Sequence, residues 1–293
     1  MGNKPKAWKY TDIIAGIATL LVALALTVAT LLIMKQCAGN LESSNKPSTE
    51  SLSTPPTTVT AVPSPTLAPN PFSPDDFIYE NGYLSCPAGN SWLGVDVSEH
   101  QGNIDWQQVA DAGIQFAMIR MAYRGWGSEG VIRADAKGYN NLLGASEAGL
   151  PVGVYFFSQA ITVEEAVEEA RFLLTLLDGR ELELPVVFDW ETVSSQDART
   201  ANMNRKTLNA CAQAFCQEIE AAGYDAMVYF NLDLTRRLYR LLPLQEAGYD
   251  FWLAMYTDSL TYAYQVKMWQ YTSNGSVPGI KGKVDLNLYF PGA

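Results

Sequence analysis

The sequence predicts an α/β fold, a modified TIM-like β/α barrel preceded by one transmembrane helix and a disordered linker. The barrel is predicted from alternating strand-like and helix-like segments and from a recurring helix-to-strand junction. Segments with apolar residues three and four positions apart, typical of amphipathic helices, lie between most of the strand candidates. The strand candidates are the apolar runs 93–97, 116–121, 152–157, 185–190, 226–230, 251–256, 266–271 and 284–289.

Four glycines mark the junction between a helix and the following strand: Gly113, Gly149, Gly223 and Gly248. Each follows an alanine and precedes an apolar or aromatic residue, the pattern of a helix that ends in a left-handed glycine cap. Repetition of this turn indicates βα units and a largely parallel sheet. An open doubly wound sheet is the alternative. A nucleotide-binding version of it is disfavoured, because no Gly-x-Gly-x-x-Gly follows the first strand.

The N-terminal part of the chain predicts a membrane anchor. Residues 1–12 form a basic tail with Lys4, Lys6 and Lys9, and residues 13–34 are apolar and uncharged. That length spans a bilayer as a helix, and the basic residues before it favour a cytoplasmic N-terminus. We therefore expect a single-pass protein of the cell membrane whose folded domain is extracellular. Secretion after cleavage of this segment is the alternative.

Residues 35–87 predict a linker, because much of this range is rich in Ser, Thr and Pro, as in the run from Ser53 to Thr58. Such a composition buries no core and behaves as an extended spacer. The folded domain is predicted over residues 88–293.

Composition excludes several classes of function. The net charge of -11 argues against nucleic acid as a partner. One histidine and four cysteines without ligand spacing argue against a metal site, and no cofactor is expected. A Ser-His-Asp hydrolase would need His100, and no Gly-x-Ser-x-Gly motif is present. Cys211 and Cys216 are predicted to be buried thiols of one helix, whereas Cys37 and Cys86 could pair or remain free.

Asp189 and Glu191 are the strongest candidates for chemistry. They end the apolar run 185–190, and alternation along a strand directs both side chains to the same face. Two adjacent carboxylates do not both ionise freely, so one should have a raised pKa and act as a general acid. Glycoside hydrolysis commonly uses such a pair. A helix cap or a surface pair is the alternative interpretation.

Other polar and aromatic residues follow the predicted strands and would meet at the mouth of a parallel barrel. Carboxylates bind sugar hydroxyls and flat aromatic rings stack on sugar rings, so the combination suits a sugar chain. Each residue also has a structural interpretation: the aromatic residues could cap the core, Asp96 could cap a helix, and Arg120 could pair with Asp96 or Asp189. The residues are Asp96, Arg120, Tyr155, Tyr229, Trp252, Tyr256, Trp269, Gln270 and Asp285.

Three segments in order resemble the signatures of glycoside hydrolase family 25, the Chalaropsis-type lysozymes. The first runs from Gly94-Val95-Asp96-Val97-Ser98 to Trp106, and the second is Phe188-Asp189-Trp190-Glu191. The third begins at Met268-Trp269-Gln270-Tyr271 and continues to Val284-Asp285-Leu286-Asn287. The resemblance covers the chain from about Leu93 to its end and leaves the predicted anchor and linker outside.

The resemblance implies a peptidoglycan muramidase that cleaves the β-1,4 bond between N-acetylmuramic acid and N-acetylglucosamine in cell-wall turnover. It implies that Glu191 is the general acid and that Asp96 and Asp285 complete the catalytic carboxylates. Asp189 would assist either through the substrate 2-acetamido group or through its electrostatic effect on Glu191, and an inverting route with a carboxylate-activated water is the alternative. The partners implied are peptidoglycan glycan strands, with a monomeric enzyme. The implied substrate-binding residues are Tyr155, Tyr229, Trp252, Tyr256, Trp269, Gln270 and Arg120. An inactive glycan-binding module and an N-acetylglucosaminidase or chitinase on the same barrel are the alternatives.

Overall fold

The structure is a computed structural model that describes residues 66–195 and 197–292. The predicted anchor at 13–34 lies outside the described residues, as does the linker up to residue 65. Among the residues described, no helix is long and apolar enough to cross a membrane.

Strands and helices alternate through most of the described chain. The strands are β1 (Ile78–Glu80), β2 (Tyr83–Ser85), β3 (Trp92–Val97), β4 (Phe116–Arg124), β5 (Ile132–Ala134), β6 (Val152–Ser158), β7 (Val186–Trp190), β8 (Ala226–Asn231), β9 (Asp250–Ala254), β10 (Met268–Gly275) and β11 (Val284–Tyr289). The helices are α1 (Trp106–Asp111), α2 (Gly138–Glu147), α3 (Val163–Leu177), α4 (Arg205–Ala221), α5 (Leu232–Arg237) and α6 (Leu241–Glu246).

Eight strands within the described range close into a barrel in the order β3-β4-β6-β7-β8-β9-β10-β11, with β11 paired back to β3. All eight predicted strands are confirmed, with small shifts at their ends. The strands from β3 to β10 are parallel to their barrel neighbours, whereas β11 is antiparallel to both β10 and β3. The last strand departs from the predicted parallel order because only residues 276–283 separate it from β10, too few for a helical crossover.

The four predicted glycine junctions are confirmed. Gly113, Gly149, Gly223 and Gly248 have φ of +88°, +79°, +89° and +95°, in the left-handed region that other residues rarely adopt. Each lies between the end of a helix and the start of the next strand, where the backbone must reverse. The sequence pattern therefore locates the turns that return the chain to the barrel.

Two apolar layers fill the fold, one inside the barrel and one between the strands and the helices. Strand β7 shows how alternation divides them: Val187 packs inside with the inner cluster, whereas Phe188 packs outside against Phe215 of α4 at a ring distance of 5.1 Å. Asp189 has the same strand parity as Val187 and therefore faces the interior. The apolar character of β7 on both faces is typical of a strand covered by helices.

The segment 66–87 packs against the barrel, although composition predicted a linker as far as residue 87. The Phe72 ring lies 4.7 Å from that of Phe290, and Phe77 meets Trp269 edge-on at 5.2 Å. Strands β1 and β2 form a short hairpin within this segment. Its aromatic side chains supply the apolar surface that the Ser/Thr/Pro-rich residues before it lack, and this surface accounts for its packing.

Candidate active site

A cavity of about 230 Å³ opens where the parallel strands of the barrel end. All four predicted catalytic carboxylates line it, as do all but one of the predicted substrate-binding residues. We call it the catalytic cavity. Its lining consists of Asp96, Ser98, His100, Gln101, Arg120, Tyr155, Phe157, Asp189, Glu191, Tyr229, Trp252, Tyr256, Gln270 and Asp285.

Asp96 is held by two amide groups. Gln270 Nε2 and Asn287 Nδ2 each donate a hydrogen bond of 2.8 Å to Asp96 Oδ2, and Trp252 Nε1 donates to Asn287 Oδ1 at 2.9 Å. Burial raises the pKa of Asp96 to about 6, and the two amide donors oppose that rise. Asp96 is therefore the member of the acidic group that most readily carries a negative charge.

The other three carboxylates retain their protons to higher pH. Burial, followed by the charges of Glu191 and Asp96, holds the pKa of Asp189 well above its usual range. Burial and then Asp96 raise the pKa of Glu191 to about 7, and burial, Asp96 and Glu191 raise that of Asp285 to about 8. Asp189 Oδ1 is buried and has no hydrogen-bond partner among the described residues. The cavity thus holds protonated carboxyl groups beside one that ionises more easily.

The backbone at Glu191 is fixed by a side chain that sequence reasoning missed. Gln159 is fully buried, and its Nε2 donates to the carbonyl oxygens of Glu191 at 2.7 Å and Ser158 at 2.9 Å. Thr200 Oγ1 donates to Gln159 Oε1 at 3.3 Å. Gln159 therefore ties the end of β6 to the residue that follows β7. Its position just after β6 is the only sequence signal, and it identifies no partner.

Arg120 lines the cavity, but its partners differ from those considered. Its Nε donates to Asp135 Oδ2 at 2.7 Å, and its Nη2 lies 3.4 Å from Glu99 Oε1. The interpretation that Arg120 pairs directly with Asp96 or Asp189 is therefore wrong. Its charge still lowers the pKa of Asp189, in opposition to burial and the neighbouring carboxylates. Asp135 follows β5, a short strand that the sequence did not predict.

The aromatic residues of the cavity differ in exposure and in hydrogen bonding. Tyr229 and Tyr256 donate to Gln270 Oε1 at 3.2 and 3.0 Å, which orients the Gln270 amide toward Asp96. Trp252 is 1% exposed and packs edge-on against Tyr229, so it shapes the wall rather than presenting an open face. Tyr256 is 57% exposed, and its ring is available to a ligand.

Trp269 does not line the cavity, so the prediction that it binds substrate is wrong. Its ring is fully buried on the outer side of β10, and its Nε1 donates to the Met255 carbonyl oxygen at 2.7 Å. Gln270, the next residue, faces the cavity, and adjacent strand residues point to opposite sides. The same rule could have identified Asn287, which lies two residues after Asp285. Ser98, His100, Gln101 and Phe157 also line the cavity.

A barrel that gathers four carboxylates and an open aromatic ring at its strand ends has the site of a glycoside hydrolase. Residues 95–280 match the model of the family described as glycosyl hydrolases family 25. This match covers more than half of the chain, and the chain therefore belongs to glycosyl hydrolases family 25.

Individual relatives agree with this assignment. The chain is 27% identical over 239 residues to uncharacterized protein YegX of Escherichia coli K12, covering 73% of this chain and 78% of that one. It is 26% identical over 216 residues to lysozyme M1 of Streptomyces globisporus, with 69% of each chain covered. The fold is similar to the modular autolysin LytC of Streptococcus pneumoniae, solved with a synthetic peptidoglycan ligand. The TM-score is 0.60 at 24% identity, over 73% of this chain and only about half, 52%, of that one.

Proposed function

We propose that this protein is a peptidoglycan muramidase that hydrolyses the β-1,4 bond between N-acetylmuramic acid and N-acetylglucosamine. One observation carries the proposal: Asp189 and Glu191 lie together in the catalytic cavity of a family 25 barrel, both with raised pKa. Similarity to proteins named as lysozymes supports this choice of substrate.

Glu191 is the general acid of the proposed reaction. Its pKa of about 7 keeps much of it protonated near neutral pH, where an exposed glutamate is ionised. It donates its proton to the glycosidic oxygen as the bond between that oxygen and the anomeric carbon breaks. The resulting carboxylate then accepts a proton from the water that completes hydrolysis.

Asp189 assists through the 2-acetamido group of the substrate. The acetamido carbonyl oxygen forms a bond to the anomeric carbon as the leaving group departs, so the substrate supplies the nucleophile. Asp189 Oδ1, which is buried without a protein partner in the described residues, is free to bond the acetamido N–H and orient the group. Water then attacks the anomeric carbon and releases the amide. Two carboxyl groups that are two residues apart and face the same side suit these roles, one as the general acid and one as the group that orients the acetamido group.

Asp96 and Asp285 complete the acidic mouth, and neither is assigned the proton transfer. Asp96, which ionises most readily, raises the pKa of both Glu191 and Asp285. Together with burial, the Asp96 charge therefore keeps Glu191 protonated to higher pH.

Tyr256, with its open ring, stacks on a sugar, and Gln270 beside it remains hydrogen-bonded to Asp96.

The proposed setting is the outer face of a cell membrane, where the enzyme takes part in cell-wall turnover. The uncharged apolar run at residues 13–34, with a basic tail before it, supports an anchor that leaves the barrel outside. Protease treatment of intact cells tests this arrangement. Digestion of the barrel only after cell lysis would contradict it, and recovery of the barrel in the culture medium would indicate cleavage and secretion.

Product analysis tests the proposed reaction. The purified protein is incubated with peptidoglycan, the products are reduced with borohydride, and the reduced end is identified by mass spectrometry. Reduced muramic acid that disappears in Glu191→Gln supports a muramidase with Glu191 as the acid. Reduced glucosamine would identify a glucosaminidase, and bound but uncleaved glycan would identify a binding module. The Tyr139→Ala variant, changed at an exposed ring outside the cavity, controls for handling.

A further inference from the structure

A second cavity lies beside the catalytic cavity, under the β1–β2 hairpin. It has a volume of about 780 Å³, within the range of small-molecule sites. Its walls are the β1–β2 turn, the end of β10, and the chain that follows β9. We call it the hairpin pocket. The residues that define its chemistry are Tyr79, Tyr83, Tyr256, Asp258, Thr272 and Asn274.

Tyr256 lines both cavities, so the two adjoin at its side chain. Its hydroxyl is fixed by the hydrogen bond of 3.0 Å to Gln270, so one ring marks the boundary between the two. A chain-like ligand that leaves the catalytic cavity past Tyr256 enters the hairpin pocket. Position alone therefore favours an extension of the ligand that the catalytic cavity takes.

The lining of the hairpin pocket suits sugar rings. Tyr79 is 62% exposed and Tyr256 57%, so the pocket is lined by two aromatic rings with open surface. Thr272 and Asn274 add a hydroxyl and an amide that can bond sugar hydroxyls and N-acetyl groups. Among the described residues that line the pocket, Asp258 is the only charged one. Open aromatic faces beside neutral donors and acceptors suit the ring faces, hydroxyls and N-acetyl groups of hexosamines.

The hairpin is anchored to the barrel, so the pocket exists before any ligand binds. The Leu84 N–H donates to the Tyr271 hydroxyl at 3.3 Å, and the Tyr83 hydroxyl donates to the Ser276 carbonyl oxygen at 3.3 Å. Leu84, in β2 of the hairpin, is itself buried. Preorganisation of this kind lowers the entropic cost of binding. The hairpin precedes residues 95–280, the part that matches the family model, so the pocket depends on a segment outside that match.

We propose that the hairpin pocket is an additional subsite that binds N-acetylated sugar rings of the glycan strand beyond those in the catalytic cavity. This inference rests on the proposed function, because it takes the ligand of the catalytic cavity to be a glycan. Tyr79 stacks on a ring at the far side of the pocket, and Tyr256 holds the strand where the two cavities meet. The enzyme therefore favours long strands over short ones.

The test compares glycan fragments of two and four disaccharide units, freed of stem peptides, on the full-length protein. The Tyr79→Ala variant should lower kcat/KM on the long fragment about tenfold more than on the short one, the effect of losing one aromatic stacking contact. The matched control is Tyr139→Ala, a comparably exposed ring on α2 outside both cavities, which should leave the ratio unchanged. Equal losses on both fragments, or no loss, would overturn the subsite.

A binding measurement separates this inference from the proposed function. In a Glu191→Gln background, the dissociation constant of the long fragment should rise about tenfold when Tyr79→Ala is added. If the fragments bind with this difference but the unmodified protein cleaves neither, the subsite stands and the muramidase fails. If cleavage occurs with an unchanged ratio, the muramidase stands and the subsite fails. A loss seen only on strands that carry stem peptides would assign the pocket to peptide and contradict the sugar assignment.

Discussion

Replacement of Asp96 by asparagine should move the alkaline limb of the pH–rate profile. Asp96 Oδ2 accepts both amide hydrogen bonds, and an asparagine oxygen of nearly the same shape can accept them too. The substitution therefore removes the charge with little change in geometry. Because Asp96 is the neighbouring charge that raises the pKa of Glu191, the pKa of the proposed acid should fall.

The size of the change follows from the causes of the raised pKa. The pKa of Glu191 rises from 4.5 to about 7, and burial contributes more than Asp96 does. Asp96 therefore accounts for less than half of the rise, and its removal lowers the pKa by about one at most, equivalent to ~1.4 kcal/mol. The alkaline limb of kcat/KM, which reports the acid in the free enzyme, should move from about pH 7 toward pH 6.

The assay is kcat/KM on a soluble glycan fragment from pH 4.5 to 9, for the unmodified protein and each variant. The matched control is Asp285→Asn, since Asp285 has a pKa of about 8, is largely neutral near pH 7, and is not among the causes that raise the pKa of Glu191. A limb that stays in place in Asp96→Asn would refute the reasoning. So would an equal displacement in Asp285→Asn.

Three further results are expected. Gln159→Leu leaves the partly buried Glu191 carbonyl without its donor, so kcat should fall about tenfold or more with little change in KM. Gln159→Glu keeps only the acceptor side and should not restore kcat. Asp285, whose pKa is raised on folding, holds its proton more tightly in the folded state, so stability should fall as pH rises from about 4 through 8; Asp285→Asn should weaken that slope in urea unfolding. Trp269→Ala should lower the free energy of unfolding by about 3–5 kcal/mol, because the ring is fully buried. A variant as stable as the unmodified protein but with weaker substrate binding would contradict the position of Trp269 outside the cavity.

Local patterns predicted the barrel because each strand corresponds to a short apolar run and each helix-to-strand turn to a single glycine. The pair Asp189 and Glu191 was predictable for the same reason, since alternation along one strand decides their common face. Trp269 was assigned to the groove from its place on a predicted strand and from its family motif. Adjacent strand residues point to opposite sides, so Trp269 and Gln270 cannot both face the cavity. Applied at that point, the same rule would have corrected the assignment.

The side-chain partners that come from distant parts of the chain could not be predicted from the sequence. Arg120 meets Asp135, which follows the short strand β5, and Glu99, which follows β3. Gln159 reaches the Glu191 carbonyl only because β6 and β7 are neighbours in the barrel. The packing of residues 66–87 likewise depends on contacts with the far end of the chain, including Phe290. No local pattern encodes these contacts.

The antiparallel last strand adds to the site what a wholly parallel barrel would lack. In a parallel strand the residues near its start lie at the opposite edge from the active site. Since β11 runs in reverse, its second residue, Asp285, pairs in register with Asp96 near the end of β3. Asn287, two residues on, shares that face and donates to Asp96.

The reversed direction of β11 also accounts for the wall of the hairpin pocket that β10 forms. Strand β10 continues past the barrel mouth to Gly275 because it turns back directly into β11, and its last residues stand beside the β1–β2 hairpin. Asn274 of this extension lines the pocket, and the adjoining Ser276 carbonyl accepts the Tyr83 hydroxyl that anchors the hairpin. The antiparallel pair β10 and β11 thus places Asp285 in the catalytic cavity and also forms one wall of the hairpin pocket.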